Sequence, residues 1–321
     1  MAILYTRCNF MKLKSIFVDQ RNILRSGWRF VVFLTTFIFL AITLNEVLYG
    51  ALTALGIPLK QGSITAFVVV GFIWLIPALL VGWLCGKFLE GLPFRALGAW
   101  FTSNWLSHLL LGLVIGALSV GFAVMIAMAF GGLSFEFNTS YDEAAIFRTM
   151  LFSFLVFAVR AALEEAIFRG YVFQTFSRAG LSWLAIILTS VPFSLVHLDN
   201  PSATTAAALN TVLAGIWFGV AYLKTRDLWF VWGIHLTWNW VQGAVFGIEV
   251  SGLTDITAAP LLKEIDKGPT WLTGETYGIE GGIACTIAII ASIAFIYFLP
   301  ILKSSEEMLA LTSNRSTASE S

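Results

Sequence analysis

The sequence predicts an all-α, polytopic membrane protein with about eight transmembrane helices and with both termini in the cytoplasm. Hydrophobic residues make up 58% of the 321 residues and charged residues only 12%, whereas a soluble domain carries about 25% charged residues. Long apolar runs separated by short polar connections recur along the chain, and about 20 residues suffice to cross a bilayer. Most of the surface is therefore expected to face lipid.

The transmembrane spans are predicted from apolar runs of this length. Pro93, Pro201 and the Gly131-Gly132 pair mark connections between them, because proline and glycine favour turns. The fourth run is long enough to tilt or to begin outside the bilayer. The spans are predicted near residues 30–54, 65–89, 105–131, 146–176, 181–199, 205–223, 228–249 and 281–302.

Small residues inside two spans predict close helix packing. Gly112 and Gly116 are four residues apart in the third span, and Gly215 and Gly219 are four apart in the sixth. Such pairs allow helix backbones to approach closely in lipid. Pro192 lies inside the fifth span and is expected to kink it.

The distribution of Lys and Arg predicts the orientation of the chain. Lys87 and Arg95, then Arg178, then Lys224 and Arg226 all lie in connections that the alternation of spans places on one side, together with the basic N-terminal segment. The opposite connections contain fewer basic residues. Because cytoplasmic loops are enriched in Lys and Arg, both termini are expected in the cytoplasm.

Polar residues inside these apolar spans indicate a functional site. Glu164 and Glu165 lie in the fourth predicted span, His197 in the fifth, and His235 and Asn239 in the seventh. Inserting an ionisable group at the centre of a membrane helix costs about 2.5 to 3.5 kcal/mol of free energy on insertion scales, so such a group normally serves a function. At about 1.5 Å per residue, all five lie deep enough to share one cavity. Acids, imidazoles and a carboxamide together favour acid–base chemistry on a water molecule, as in an intramembrane hydrolase.

Helical spacing separates the roles of the two acids. Glu165 and Arg169 are four residues apart with the acid first, the favoured order for an ion pair. Glu164 then lies about 100° away around the helix. Arg160 precedes Glu164 by four residues, and a contact between them would favour the ionised carboxylate that suits a base. Glu165, Arg169 and Arg160 are predicted to support the site.

Three short motifs in this order resemble those of the CAAX prenyl endopeptidase and bacteriocin-processing (CPBP, or Abi) family of intramembrane proteases. The motifs are two glutamates followed after three residues by arginine, Phe-x-x-x-His, and His-x-x-x-Asn. The resemblance covers roughly residues 146–245. The matching residues are Glu164, Glu165 and Arg169, then Phe193 and His197, then His235 and Asn239.

The resemblance implies a catalytic role for four residues. Glu164 would activate water together with His197, and His235 and Asn239 would stabilise the oxyanion. Amide hydrolysis needs such a base and such donors. A neutral imidazole and a carboxamide can both donate without adding charge to an apolar cavity.

The sequence is compatible with a metal cofactor but does not require one. Glu164, His197 and His235 could hold Zn²⁺ in the manner of His₂Glu sites, and the family is often labelled as metalloproteases. There is, however, no His-Glu-x-x-His helix. No other cofactor is expected. His108 is expected to lie at the membrane interface and not to be a ligand.

The predicted function is therefore that of a CAAX-type intramembrane endopeptidase in the plasma membrane of a prokaryote. The expected partners are a membrane-associated peptide or lipidated protein substrate and the lipid bilayer. The net charge of zero gives no argument for nucleic acid. A non-catalytic bacteriocin-immunity or scaffold protein, and a proton-coupled transporter, remain as alternatives, although no inverted repeat supports the transporter.

The chain is accordingly divided into six segments. The expected segments are a basic cytoplasmic lead-in at 1–29, N-terminal transmembrane helices at 30–145, a CAAX protease-like catalytic core at 146–249, an extracytoplasmic loop at 250–280, the last transmembrane helix at 281–302 and a disordered tail at 303–321.

Overall fold

A computed structural model of the chain describes residues 15–19, 22–57, 59–60 and 62–313, and helices dominate this part. Much of the expected lead-in lies outside the described residues. The helices are α1 (Ser26–Ala54), α2 (Ile64–Glu90), α3 (Trp105–Ala129), α4 (Glu143–Glu165), α5 (Val172–Arg178), α6 (Ser182–Leu195), α7 (Thr205–Thr225), α8 (Leu228–Trp240), the short α9 (Thr270–Thr273), α10 (Ile283–Phe298) and α11 (Glu306–Thr312). The strands are β1 (Leu133–Phe137) and β2 (Leu262–Asp266).

Five helices of the described chain are long and apolar enough to cross a membrane. They are α1, α2, α3, the segment Glu143–Arg178 that includes α4 and α5, and α7, while α6 and α10 are shorter apolar helices. The mostly helical, polytopic architecture is thus confirmed. The count of eight spans and the cytoplasmic termini remain predictions.

Polar side chains determine where several of these helices begin. Ser63 accepts a hydrogen bond from a backbone N–H in the first turn of α2, Asp142 does so for α4, Thr204 for α7 and Asp227 for α8. Each side chain satisfies a backbone donor that has no partner within its helix. Asp227 also pairs with His108, which is only 3% exposed. His108 is therefore buried between α3 and α8, and its position at the membrane interface stays a prediction.

A two-stranded antiparallel sheet connects two distant loops, which the all-α prediction missed. Strand β1 pairs with β2 in a register that sets Leu133 opposite Asp266 and Phe137 opposite Leu262. Each strand has five residues, too few for a periodic signal between long apolar runs. The segment 250–280 is therefore anchored to the connection between α3 and α4.

The C-terminal segment contains a short helix where disorder was expected. In α11, Glu307 forms an ion pair with Arg95 at 2.9 Å. The carbonyl of Thr312 accepts a hydrogen bond from Arg226 at 3.4 Å. These contacts hold the chain up to Ser313 against the bundle, and the remaining tail lies outside the described residues.

The expected close packing at small residues is confirmed. A Cβ added at Gly112 would lie 2.3 Å from the carbonyl oxygen of Phe230, and one at Gly116 would lie 2.3 Å from that of Ile234. A Cβ at Gly215 would lie 2.7 Å from the Cα of Ser190. Helix α3 thus packs directly against the backbone of α8, and α7 against α6.

We expect Gly116→Ala to destabilise the protein, because the added methyl group would force α8 away from α3. The expected loss is about 1–3 kcal/mol, the usual cost of overpacking. Gly121→Ala on the same helix is the matched control, since a Cβ there meets no atom within 4 Å and alanine favours helix. Thermal unfolding in detergent would compare them, and equal melting temperatures would contradict the packing argument.

The β1–β2 sheet predicts a pH-dependent stability. Burial raises the pKa of Glu264 from 4.5 to about 8, and the nearby carboxylates of Glu249 and Asp266 add to this shift. The folded state holds this proton more tightly than the unfolded state. The contribution of Glu264 to the free energy of unfolding is therefore fully present below pH 4.5 and is lost as the pH rises through about 8. Glu264→Gln should flatten this decline in melting temperature. Glu136→Gln, at an exposed position of the partner strand, should leave it unchanged.

Candidate active site

Glu164, His197 and His235 converge on one cavity, as the depth of their positions predicted. The Glu164 Oε2 atom lies 3.9 Å from His197 Nε2 and 3.6 Å from His235 Nε2. They line a cavity of about 620 Å³ together with Asn239 and Arg160. Helices α4 and α8 and the turn that follows α6, which are distant in sequence, thus contribute to one site; His197 lies in this turn and not within the helix that the fifth predicted span implied.

A π-helical segment in the first motif turns its arginine inward. Residues Ala166–Tyr171 form this segment between α4 and α5, and Gly170 has a non-helical ψ of −128°. Arg169 is fully buried, and Glu165 is 1% exposed. Single π-helical turns within α-helices frequently occur at functional sites. The sequence analysis did not predict this irregularity.

Glu165 binds two residues and not only the arginine that helical spacing predicted. Its Oε1 accepts a hydrogen bond from Arg169 Nη1 at 3.3 Å, as expected, and another from His235 Nδ1 at 2.7 Å. Arg169 also donates to the carbonyl of Gly215 at 3.0 Å and lies over the ring of Phe193. Glu165 therefore orients His235 while Arg169 balances its charge.

The hydrogen-bond partners of the two histidines determine which ring nitrogen faces the cavity. His197 Nδ1 contacts the carbonyl oxygen of Phe193 at 2.6 Å, so this nitrogen must donate. His235 Nδ1 likewise donates to Glu165. In the neutral rings both Nε2 atoms are then acceptors. With this bond to Glu165, donation from His235 Nε2 into the cavity requires the imidazolium form, whereas the sequence analysis assigned that donation to a neutral ring.

The Glu164 carboxylate can still accept a hydrogen bond. Its Oε2 is buried and has no hydrogen-bond partner among the described residues, and its separations from both histidines exceed a normal hydrogen bond. A water molecule in the cavity beside Oε2 would supply the missing hydrogen-bond partner. The arrangement can thus hold and deprotonate a water.

The two remaining predicted residues line the same cavity. Asn239 is half-buried and lies one helical turn after His235, which confirms their common face. Arg160 lines the cavity but forms no ion pair with Glu164 within the described part of the chain, where the carboxylate is directed toward the two histidines. Its positive charge acts on the Glu164 carboxylate from a longer distance, and its supporting role stays a prediction.

The structure gives no support for a zinc site at these residues. Among the described residues, no group of three or more His, Cys, Asp or Glu is arranged to hold a metal ion. The separations of 3.6 and 3.9 Å at Glu164 are longer than the about 3.3–3.5 Å between ideal tetrahedral zinc ligands. A zinc ion held by Glu164, His197 and His235 therefore stays a prediction.

Several polar residues of the cavity wall were not singled out by the sequence analysis. One follows His197, two lie in α7, and two belong to the segment 250–280. The sequence feature that could have indicated one of them is the acidic residue directly before the last apolar run, Glu280. These residues are Asn200, Asn210, Thr211, Ser251 and Glu280.

Comparison with known proteins identifies the segment that contains the three motifs. Residues 146–241 match the family model described as type II CAAX prenyl endopeptidase Rce1-like. No curated protein matches the chain significantly. The match includes α4 to α8, which contribute the convergent glutamates, histidines and Asn239. The predicted CPBP resemblance is thereby confirmed: residues 146–241 are similar to the type II CAAX prenyl endopeptidases, a family of intramembrane proteases.

Proposed function

We propose that this chain is an intramembrane endopeptidase of the CAAX prenyl protease type that hydrolyses a peptide bond of a membrane-associated or lipidated substrate. The observation that carries the proposal is the Glu164 carboxylate, which faces the Nε2 atoms of His197 and His235 at 3.9 and 3.6 Å inside one cavity. A base and potential donors within this range can act on one water and one carbonyl group.

Glu164 acts as the general base in the proposed reaction. It removes a proton from the water, and His197 Nε2 accepts the second hydrogen of that water and so directs its lone pair. The water oxygen forms a bond to the substrate carbonyl carbon, whose oxygen becomes an oxyanion. When the tetrahedral intermediate collapses, the C–N bond breaks, and Glu164 returns the proton to the leaving amine.

His235 and Asn239 stabilise the oxyanion. His235 donates from Nε2 as an imidazolium, and the adjacent Glu165 carboxylate balances this charge. The Asn239 amide donates from the same helix face. Such donors act most strongly in a cavity of low dielectric constant. Glu165 is thus a positioning residue, because it acts through His235.

We expect Glu164→Gln to abolish turnover while the protein still folds, because glutamine retains the shape but cannot accept the proton. The measurement is mass spectrometry of membrane peptides that accumulate uncleaved in cells expressing the variant, followed by cleavage of these peptides by purified protein in detergent. Glu165→Gln is the comparison and should also lower the melting temperature, since Glu165 joins two helices.

Full activity of Glu164→Gln would reverse the roles of the two acids. Inactivation by a chelator that zinc reverses would instead favour metal held by Glu164, His197 and His235.

We expect Asn239→Ala to lower kcat by about 10²- to 10³-fold, the effect of losing one oxyanion donor, with a smaller effect on KM. Asn239→Asp should lower kcat further, because a carboxylate repels the oxyanion. Steady-state kinetics on the same peptide would test both variants. An Asp variant with wild-type kcat would exclude the donor role.

A further inference from the structure

The cavity lining includes polar residues that the proposed reaction does not use. They are Asn200, Asn210, Thr211, Ser251 and Glu280, and two of them belong to the segment 250–280, outside the matched residues. Contacts of Glu280 with Asn210 and Ser251 show that three of them are neighbours. The lining from α1 and α2 is apolar and consists of Leu34, Phe37, Ile38, Val70 and Trp74. The cavity therefore offers surfaces to apolar groups and a polar cluster to a polar group.

Two of the polar residues already use their hydrogen-bonding groups within the protein. Asn210 donates to the carbonyls of Glu280 and Gly282 at 2.8 and 2.9 Å and accepts from Thr286 at 2.6 Å. Thr211 donates to a carbonyl of its own helix. Asn210 thus fixes the backbone of Glu280 and has little capacity left for a ligand.

Glu280 retains both charge and acceptor capacity. Its Oε2 accepts from the backbone N–H and the hydroxyl of Ser251 at 2.5 and 2.9 Å, and its Oε1 accepts a longer bond from Trp238 Nε1 at 3.3 Å. A carboxylate has about four acceptor positions. In the described part of the chain it forms no ion pair with Lys, Arg or His. A half-buried carboxylate beside apolar walls gains from a cation brought by a ligand.

The neighbouring side chains add hydrogen-bond donors but no positive charge. Burial and the nearby Glu280 carboxylate raise the pKa of Tyr277 to about 12, so its hydroxyl remains neutral. Ser251 and Trp238 are neutral donors as well. The described side chains that donate to Glu280 therefore bring no positive charge to compensate its carboxylate.

Glu280 is also close enough to the proposed catalytic groups to contact the same substrate. Trp238, which donates to Glu280, is three residues after His235 on α8, and such residues have Cβ atoms about 5–6 Å apart. An extended peptide advances about 3.3 Å per residue. A substrate whose carbonyl lies at His235 and Asn239 therefore places a nearby side chain beside Glu280.

We propose that Glu280 is a specificity-determining residue that binds a Lys or Arg side chain of the substrate a few residues from the scissile bond. This inference rests on the proposed endopeptidase function and identifies the kind of peptide it acts on. A purely structural Glu280 would only fasten Ser251 and would not distinguish basic from neutral peptides.

The first test uses the wild-type protein. A cleaved peptide is resynthesised with Lys, and in parallel with Gln, at each position within four residues of the scissile bond, and kcat/KM is measured for each pair. We expect one position at which Lys exceeds Gln by about tenfold or more, the scale of a partly buried charge pair. Cleavage without such a preference overturns the role of Glu280 but leaves the proposed function intact, whereas no cleavage of any peptide overturns both.

The second test reverses the charge. Glu280→Gln, which keeps an oxygen acceptor for Ser251, should reduce the Lys-to-Gln ratio to near one, and Glu280→Lys should produce a preference for Glu at the same position. Glu275→Gln, at an exposed site of the same segment, is the control and should keep the wild-type ratio. A Lys preference that survives in Glu280→Gln overturns the assignment.

Discussion

The cost of placing charged groups inside a bundle of lipid-spanning helices governs this structure. Glu165 and Arg169 are almost completely buried, and each would cost several kcal/mol without a partner. One carboxylate oxygen of Glu165 contacts both Arg169 and His235, so both buried charges have a partner. The same pairing that makes burial tolerable also orients an imidazole toward Glu164. Stability and the geometry of the proposed site therefore depend on the same contacts.

The surrounding scaffold keeps these side chains in register. Glycines allow α3 to lie against the backbone of α8, which carries His235, and allow α7 to lie against α6. At the other end of the first motif, Arg178 donates two hydrogen bonds to Glu90, which also pairs with Arg29. This cluster joins α1 and α2 to the matched segment. Helices α1 and α2, outside the match, are thus attached to α5, which follows the irregular segment after Glu164.

Different parts of the chain contribute different groups to the cavity. The matched segment contributes the groups proposed to activate water and to stabilise the oxyanion. The helices before it and the segment after it complete the walls, with apolar side chains from the helices and Glu280 from the segment. In the two proposals, the groups for water activation lie in the matched segment, and the residue that selects the substrate lies outside it but contacts Trp238 and Asn210 of that segment.

The sequence by itself determined the membrane setting, the approximate helices, the residues that converge and the Glu165–Arg169 pair. These follow from composition and from helical periodicity, which depend only on nearby residues. Only the tertiary structure decided that Glu165 holds His235, that Arg160 forms no ion pair with Glu164, that β1 pairs with β2 and that Glu280 lines the cavity. Such contacts depend on the rotation and depth of each helix relative to the others, and a sequence pattern leaves both free.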